Sequence, residues 1–207
     1  MKKNLILICL IISISSFAKE RTKNSFWAGV FSKKELTTEY SWWSEAQLRY
    51  SFDQGGVGQF LYRTGALYTI DNDHGIGLLY GYITTGEVKE HRWTFQHTQT
   101  YSNSESSKLS SRTRLEYRNN ENSDDDSWRF RYLFRFDKNE GVYWNEVFLN
   151  LTDEKNANHQ IFERNRLFIG SSAEVFNSKI EYGYLNQYVP RDNSSVIEHI
   201  ATIYFFM

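Results

Sequence analysis

From Trp128 to Phe136 every even-numbered residue is aromatic: Trp128, Phe130, Tyr132, Phe134 and Phe136. Between them stand Arg129, Arg131, Leu133 and Arg135. Successive side chains of a strand point to opposite faces. This stretch therefore reads as a strand with one aromatic and one cationic face, and few folds accept such a strand. The same period of two recurs along the chain. Trp42, Ser44, Ala46, Leu48, Tyr50 and Phe52 alternate with Trp43, Glu45, Gln47, Arg49 and Ser51. Phe60, Tyr62, Thr64, Ala66, Tyr68 and Ile70 oppose Gln59, Leu61, Arg63, Gly65 and Leu67. Leu109, Ser111, Thr113, Leu115 and Tyr117 oppose Ser110, Arg112, Arg114, Glu116 and Arg118. Ile180, Tyr182 and Tyr184 oppose Lys179, Glu181, Gly183 and Leu185. No helix-length amphipathic pattern accompanies them.

Turn-forming clusters separate these runs: Asp71-Asn72-Asp73, Ser102 to Lys108, Asn119 to Ser127, Asp137 to Gly141, Thr152 to Gln160 and Pro190 to Ser195. The pattern predicts strands near 26–34, 40–52, 58–70, 74–84, 88–101, 108–118, 127–137, 142–151, 161–172, 178–188 and 196–206. That is eleven, whereas single-chain bacterial barrels use even numbers. The expectation is therefore an all-β chain forming a single antiparallel up-and-down transmembrane β-barrel of ten or twelve strands, twelve preferred. It requires either one more strand before Trp42 or one strand outside the closed sheet.

Alternation alone does not say whether the apolar face of a barrel turns inward or outward. Three features favour outward. The strands reach the roughly nine to eleven residues that cross a bilayer at a tilt. The apolar face is heavily aromatic, as at the two girdles of a membrane barrel. The polar face carries arginine and glutamate far more than lysine, which suits a confined lumen where charges pair bidentately. Composition agrees: aromatic residues make up 17% of the chain, yet mean hydropathy is −0.59. A helical membrane protein would be more apolar, and a disordered chain would lack the aromatics.

The first residues read as an export signal. Lys2 and Lys3 precede an apolar run from Leu5 to Ile14, and Ser16-Phe17-Ala18 offers small residues for cleavage. Residues 1–18 are expected to be a cleaved signal peptide and 19–207 the barrel domain; the alternative is an uncleaved anchor. The only cysteine, Cys9, falls in the leader, so the mature chain would have no thiol chemistry. The net charge of −1 gives no reason to expect nucleic acid as a partner. The localisation expected is the bacterial outer membrane.

Six segments occur in a telling order. They contain Arg63-Thr64-Gly65-Ala66-Leu67-Tyr68, Glu90-His91-Arg92-Trp93, Arg112-Thr113-Arg114-Leu115-Glu116-Tyr117-Arg118, Asn145-Glu146-Val147-Phe148-Leu149, Arg164-Asn165-Arg166-Leu167-Phe168-Ile169-Gly170 and Gly183-Tyr184-Leu185-Asn186-Gln187. Together, from about Trp27 to Phe206, they resemble the bacterial family catalogued as domain of unknown function 2490. The resemblance implies an outer-membrane barrel and implies no activity. Thr94-Phe95-Gln96-His97 departs from the glutamine-rich continuation usual after Trp93, which argues against a special role for that strand.

Candidate functional residues lie on the polar parity: Arg49, Arg63, Glu90, Arg92, Arg112, Arg114, Glu116, Arg118, Arg129, Arg131, Arg135, Glu146, Arg164, Arg166 and Glu181. The preferred reading is a lumenal ladder of ion pairs, because charges shut away from water must be paired. The functional reading is a narrow electropositive constriction for anions. Two alternatives are an outer-membrane lipid-acting hydrolase and a secreted soluble β-barrel binding protein. The hydrolase would need a serine and a histidine aligned at the rim. Of His74, His91, His97, His159 and His199, His91 and His97 share a face but stand about 20 Å apart at strand rise. His199 has Ser194 and Ser195 near it, toward a turn. No catalytic residue, metal site or cofactor is therefore assigned. Asp124-Asp125-Asp126, after Asn119, Asn120, Glu121 and Asn122, could hold divalent cations at a lipopolysaccharide surface, though a solvated loop is preferred. The partners expected are membrane lipid, lipopolysaccharide and, through the aromatic C-terminal strand ending Ile203-Tyr204-Phe205-Phe206-Met207, the barrel-insertion machinery.

Overall fold

The computed structural model describes residues 19–121, 126–152, 160–176, 178–191 and 194–207. The expected signal segment, including Cys9, lies outside the described residues, as do Asp124, Asp125 and His159. The described residues form strands and their connections only. In chain order the strands are β1 (Lys19–Glu35), β2 (Tyr40–Ser51), β3 (Gly56–Thr69), β4 (His74–Thr85), β5 (Val88–Asn103) and β6 (Ser107–Asn120). They continue with β7 (Ser127–Lys138), β8 (Gly141–Asn150), β9 (Phe162–Val175), β10 (Ser178–Arg191) and β11 (Ser194–Phe206). Each pairs antiparallel with the next, and β11 returns to β1, so the sheet closes as one barrel.

The strand count is eleven, which corrects the expectation of ten or twelve. Among the described residues no strand lies outside the closed sheet. An odd number of up-and-down strands brings the first and last together pointing the same way, so the barrel is not wholly antiparallel. The β1–β11 seam is parallel, running from Lys19↔Ser194 to Phe31↔Phe206. Parallel pairing is slightly weaker per residue, and here length and side chains offset the difference. Phe31 stacks on Phe206 at 4.8 Å and meets Tyr204 edge-on at 5.6 Å. Met207 N donates to the Phe31 carbonyl at 2.8 Å. The same parity puts Lys19 and Met207 at opposite ends of the barrel.

Two differences from expectation concern element limits. β1 begins at Lys19 rather than near residue 26, because Lys19–Asn24 pairs with β11 alone. That charged segment has no apolar alternation to announce it. Pro190, expected in a turn, stands one residue inside the end of β10, opposite Ser195. Tight two-residue turns occur at Gly86-Glu87 and Asn139-Glu140, where Gly86 and Asn139 take φ of 59° and 50°.

The register assigns every strand residue to a face. The charged parity of β5, β6 and β7 points inward, and its aromatic parity points outward. Outward-facing Trp42, Leu78, Trp93, Phe95, Phe134, Leu167 and Tyr182 are exposed, so an apolar belt surrounds the barrel. The interior has two sectors. Trp27, Val142, Phe168, Leu185 and Ile200 form a buried apolar cluster along β1 and β8 to β11, with Trp144 packed against it. Paired Gly170 and Gly183 make room for this cluster. A Cβ on Gly170 would come within 2.4 Å of the Phe168 ring and of the Tyr182 carbonyl oxygen. Without it, Phe168 lies along the wall and stacks on Trp144 at 5.1 Å. The other sector, β2 to β9, is charged.

Candidate functional site: an arginine-rich lumen

The site follows from the inward parity. Fourteen of the fifteen predicted residues line a single lumenal cavity of about 250 Å³. The fifteenth, Glu116, is fully buried beneath the guanidinium groups. It is the hub of the network. Arg129 gives it bonds of 2.8 and 2.6 Å from Nε and Nη2, and Arg131 gives one of 2.7 Å. Arg63 reaches it from β3 at 3.7 Å and Arg92 from β5 at 3.9 Å.

From this hub the pairing spreads around the wall. Arg63 also donates to Glu45 at 2.8 Å. Arg131 donates twice to Glu146 at 2.8 Å, and Arg112 lies 3.3 Å from the same carboxylate. Arg129 extends to Glu163 at 3.1 Å, and Glu163 also receives Arg164. Arg92 and Arg118 share Glu90, the latter at 3.0 Å. Toward the Met207 end, Arg135 is held by Asp137 at 2.9 Å and by Glu181, which also takes Lys179 at 2.9 Å. The ring of Phe148 lies under the cations of Arg131 and Arg166, at 4.4 and 4.7 Å. Charges this deep are tolerated because each of these carboxylates is paired with arginine, although the buried Nε of Arg49, Arg63, Arg112, Arg131 and Arg164 has no acceptor among the described residues.

The pairing is not neutral. Eleven arginines line the cavity. The carboxylates within ion-pair distance of them, among the described residues, are Glu45, Glu90, Glu116, Glu146, Glu163, Glu181 and Asp137. Glutamines stand where further carboxylates would be needed. Arg49 donates to Gln59 at 2.5 Å and Gln47 at 3.2 Å, Arg114 to Gln96 at 3.1 Å, and Arg166 to Gln187 at 2.8 Å. An amide oxygen orients a guanidinium without cancelling its charge. Among the described residues the lumen therefore keeps a cationic surplus.

A family model described as a protein of unknown function (DUF2490) matches residues 24–198. The chain belongs to this family. No curated protein and no solved structure matches it.

In this DUF2490 barrel several lumenal residues escaped the sequence reading. Glu45 had a visible signal, since it shares the parity of Arg49. Glu163 had none. It falls at an irregularity where Phe148 pairs with Arg164 and Leu149 with Phe162. The unpaired residue is re-aimed into the lumen, as bulges commonly do. The glutamines are silent in sequence because only the fold sets them against arginines. Gln96 belongs to the segment that departs from the family pattern, and it holds Arg114.

His74, His91, His97 and His199, the histidines among the described residues of the DUF2490 chain, stand on the outer parity. His74 and His97 stack, with Nδ1 and Nε2 3.2 Å apart. His91 bonds to Tyr80 and, through Nε2, to Glu121 at 2.8 Å. His199 bonds to Tyr184 rather than to Ser194 or Ser195. Among the described residues no cluster of three metal-ligating side chains occurs. Of the acidic run, Asp126 accepts from Tyr117 and from Asn119 at 2.6 Å. The Tyr117 bond, then the Asn119 bond, hold its carboxyl below the usual range. Glu121 is lowered likewise, chiefly by its bond from His91.

Proposed function

We propose that this protein is a transmembrane β-barrel of a bacterial outer membrane whose lumen is a narrow, anion-preferring passage. The observation that carries this reading is the inverted polarity: large apolar side chains are exposed on the outside, while buried arginines and glutamates fill the inside. A soluble barrel places its apolar parity inward; a membrane barrel places it against lipid. The apolar leader at residues 5–14 supports export. Eleven strands with large lumenal side chains leave no wide channel, which favours small ions over solutes.

The anion preference rests on the cationic surplus, since rings of arginine attract anions into a pore. Bilayer recordings of the refolded chain are expected to show a small conductance with a reversal potential favouring chloride over potassium. Arg114→Gln removes a cation that has no carboxylate within ion-pair distance among the described residues and is expected to reduce that preference. Absence of conductance, or a preference indifferent to Arg114→Gln, would contradict the passage and leave a structural barrel.

A further inference from the structure

Trp27 occupies the boundary between the apolar and the charged sectors. Its buried ring is part of the apolar cluster and also lines the cavity. Two arginines from strands four places apart in the sheet converge on it. The Arg49 guanidinium carbon lies 3.9 Å from the ring centroid and that of Arg166 lies 4.9 Å from it. The two cations are therefore within about 9 Å of each other, whichever faces of the ring they occupy. Like charges held so close need a reason. Cation–π contact supplies part of it. Carboxylates supply little. Among the described residues none lies within ion-pair distance of Arg49, and Arg166 has only Glu146, at 4.0 Å, which Arg131 and Arg112 already engage.

Glutamines fix both side chains instead. Gln59 holds Arg49 while its own amide donates to Thr85 at 2.7 Å. Gln187 holds Arg166 while its amide donates to Glu198 at 2.7 Å. Both forks are thus positioned by amide oxygens, which do not cancel their charge; Glu146, 4.0 Å from Arg166, and Glu198, held by Gln187, offset only part of it. Arg49 Nε is buried and has no acceptor. Two planar forks within about 9 Å of each other suit an anion with several oxygens, which takes charge-assisted bonds of about 2.8 Å from each. A spherical halide has no such set of directed acceptors.

We propose that Arg49 and Arg166, braced on Trp27, form a binding seat for a small tetrahedral oxyanion of the phosphate class. The seat deepens the reading of the lumen as an anion passage and rests on it: it is where a passing anion would pause.

The test uses the full mature chain refolded in detergent, its closed state verified by heat-modifiable migration. Thermal unfolding is followed in inorganic phosphate and in chloride at matched ionic strength and pH 7. Phosphate is expected to raise the midpoint in a saturable way, and chloride is not. Gln59→Glu keeps every arginine and sets a carboxylate against Arg49, so the apparent phosphate affinity is expected to fall at least tenfold. Arg49→Gln is a second variant with the same expectation. Lys89→Gln, an exposed cation outside the lumen, is expected to leave the shift intact. A phosphate shift unchanged by Gln59→Glu and Arg49→Gln, or lost in Lys89→Gln, would overturn the seat. So would a closed barrel indifferent to phosphate. Failure of the membrane reading looks different: the chain would fold without detergent and show no heat-modifiable migration.

Discussion

Glu116→Gln is expected to destabilise the barrel by about 3–5 kcal/mol, the range for removing one partner from a buried ion-pair network. The substitution keeps the shape of the side chain and removes its charge. Glu116 is fully buried and bonds to Arg129 and Arg131, with Arg63 and Arg92 at 3.7 and 3.9 Å. Each of these cations keeps another carboxylate: Glu163, Glu146, Glu45 and Glu90. What is lost is the group that joins the four pairs into one network, in a lumen already in cationic surplus. Urea unfolding of the chain in lipid vesicles, followed by tryptophan fluorescence, should show a lower midpoint with the slope retained. An exposed pair such as Lys33–Glu35 is screened by water, so Glu35→Gln should leave the midpoint where it was. A Glu116→Gln midpoint equal to that of the parent chain would remove Glu116 from its place at the hub.

The second large effect concerns the outer face. Phe95 lies near the middle of β5, on the outward parity, and is 51% exposed. Its neighbours across the sheet are Leu78 and Leu115. With lipid around this belt, Phe95→Arg should cost about 2–4 kcal/mol, the penalty for a cation at mid-depth. Tyr40→Arg, at the first residue of β2 beside a turn, should cost about 0–1 kcal/mol because the charge reaches the interface. With water around the belt, both would fall within about 0.5 kcal/mol of the parent, like ordinary surface changes. The same urea titration in vesicles measures both variants. A Phe95→Arg midpoint no lower than that of Tyr40→Arg would contradict a lipid-facing belt.

Alternation carried most of the architecture. The run Trp128–Phe136 announced both faces of β7, and the same period located all eleven strands. The even-number habit of bacterial barrels does not hold for this closed sheet of eleven strands. Period two reports where strands are, whereas closure depends on whether the first and last can pair in parallel. Here the Phe31, Tyr204 and Phe206 rings support that seam. Lys19–Asn24 was invisible as strand because its partner is β11 alone and its side chains are charged or polar. Inside the barrel, parity named the arginines and most of the glutamates. It could not name Glu163, which an irregularity in the β8–β9 ladder turns inward. Nor could it show that glutamines rather than glutamates meet Arg49, Arg114 and Arg166. Such cross-strand pairing depends on register, which no single strand encodes.

All of this turns on which solvent surrounds the apolar belt, and fractionation of cells producing the full chain addresses that directly. The mature protein is expected in the outer-membrane pellet, resistant to salt and alkaline washes, and migrating faster on a gel before boiling than after. A chain released by alkaline wash, or recovered in the soluble fraction with unchanged migration, would contradict it.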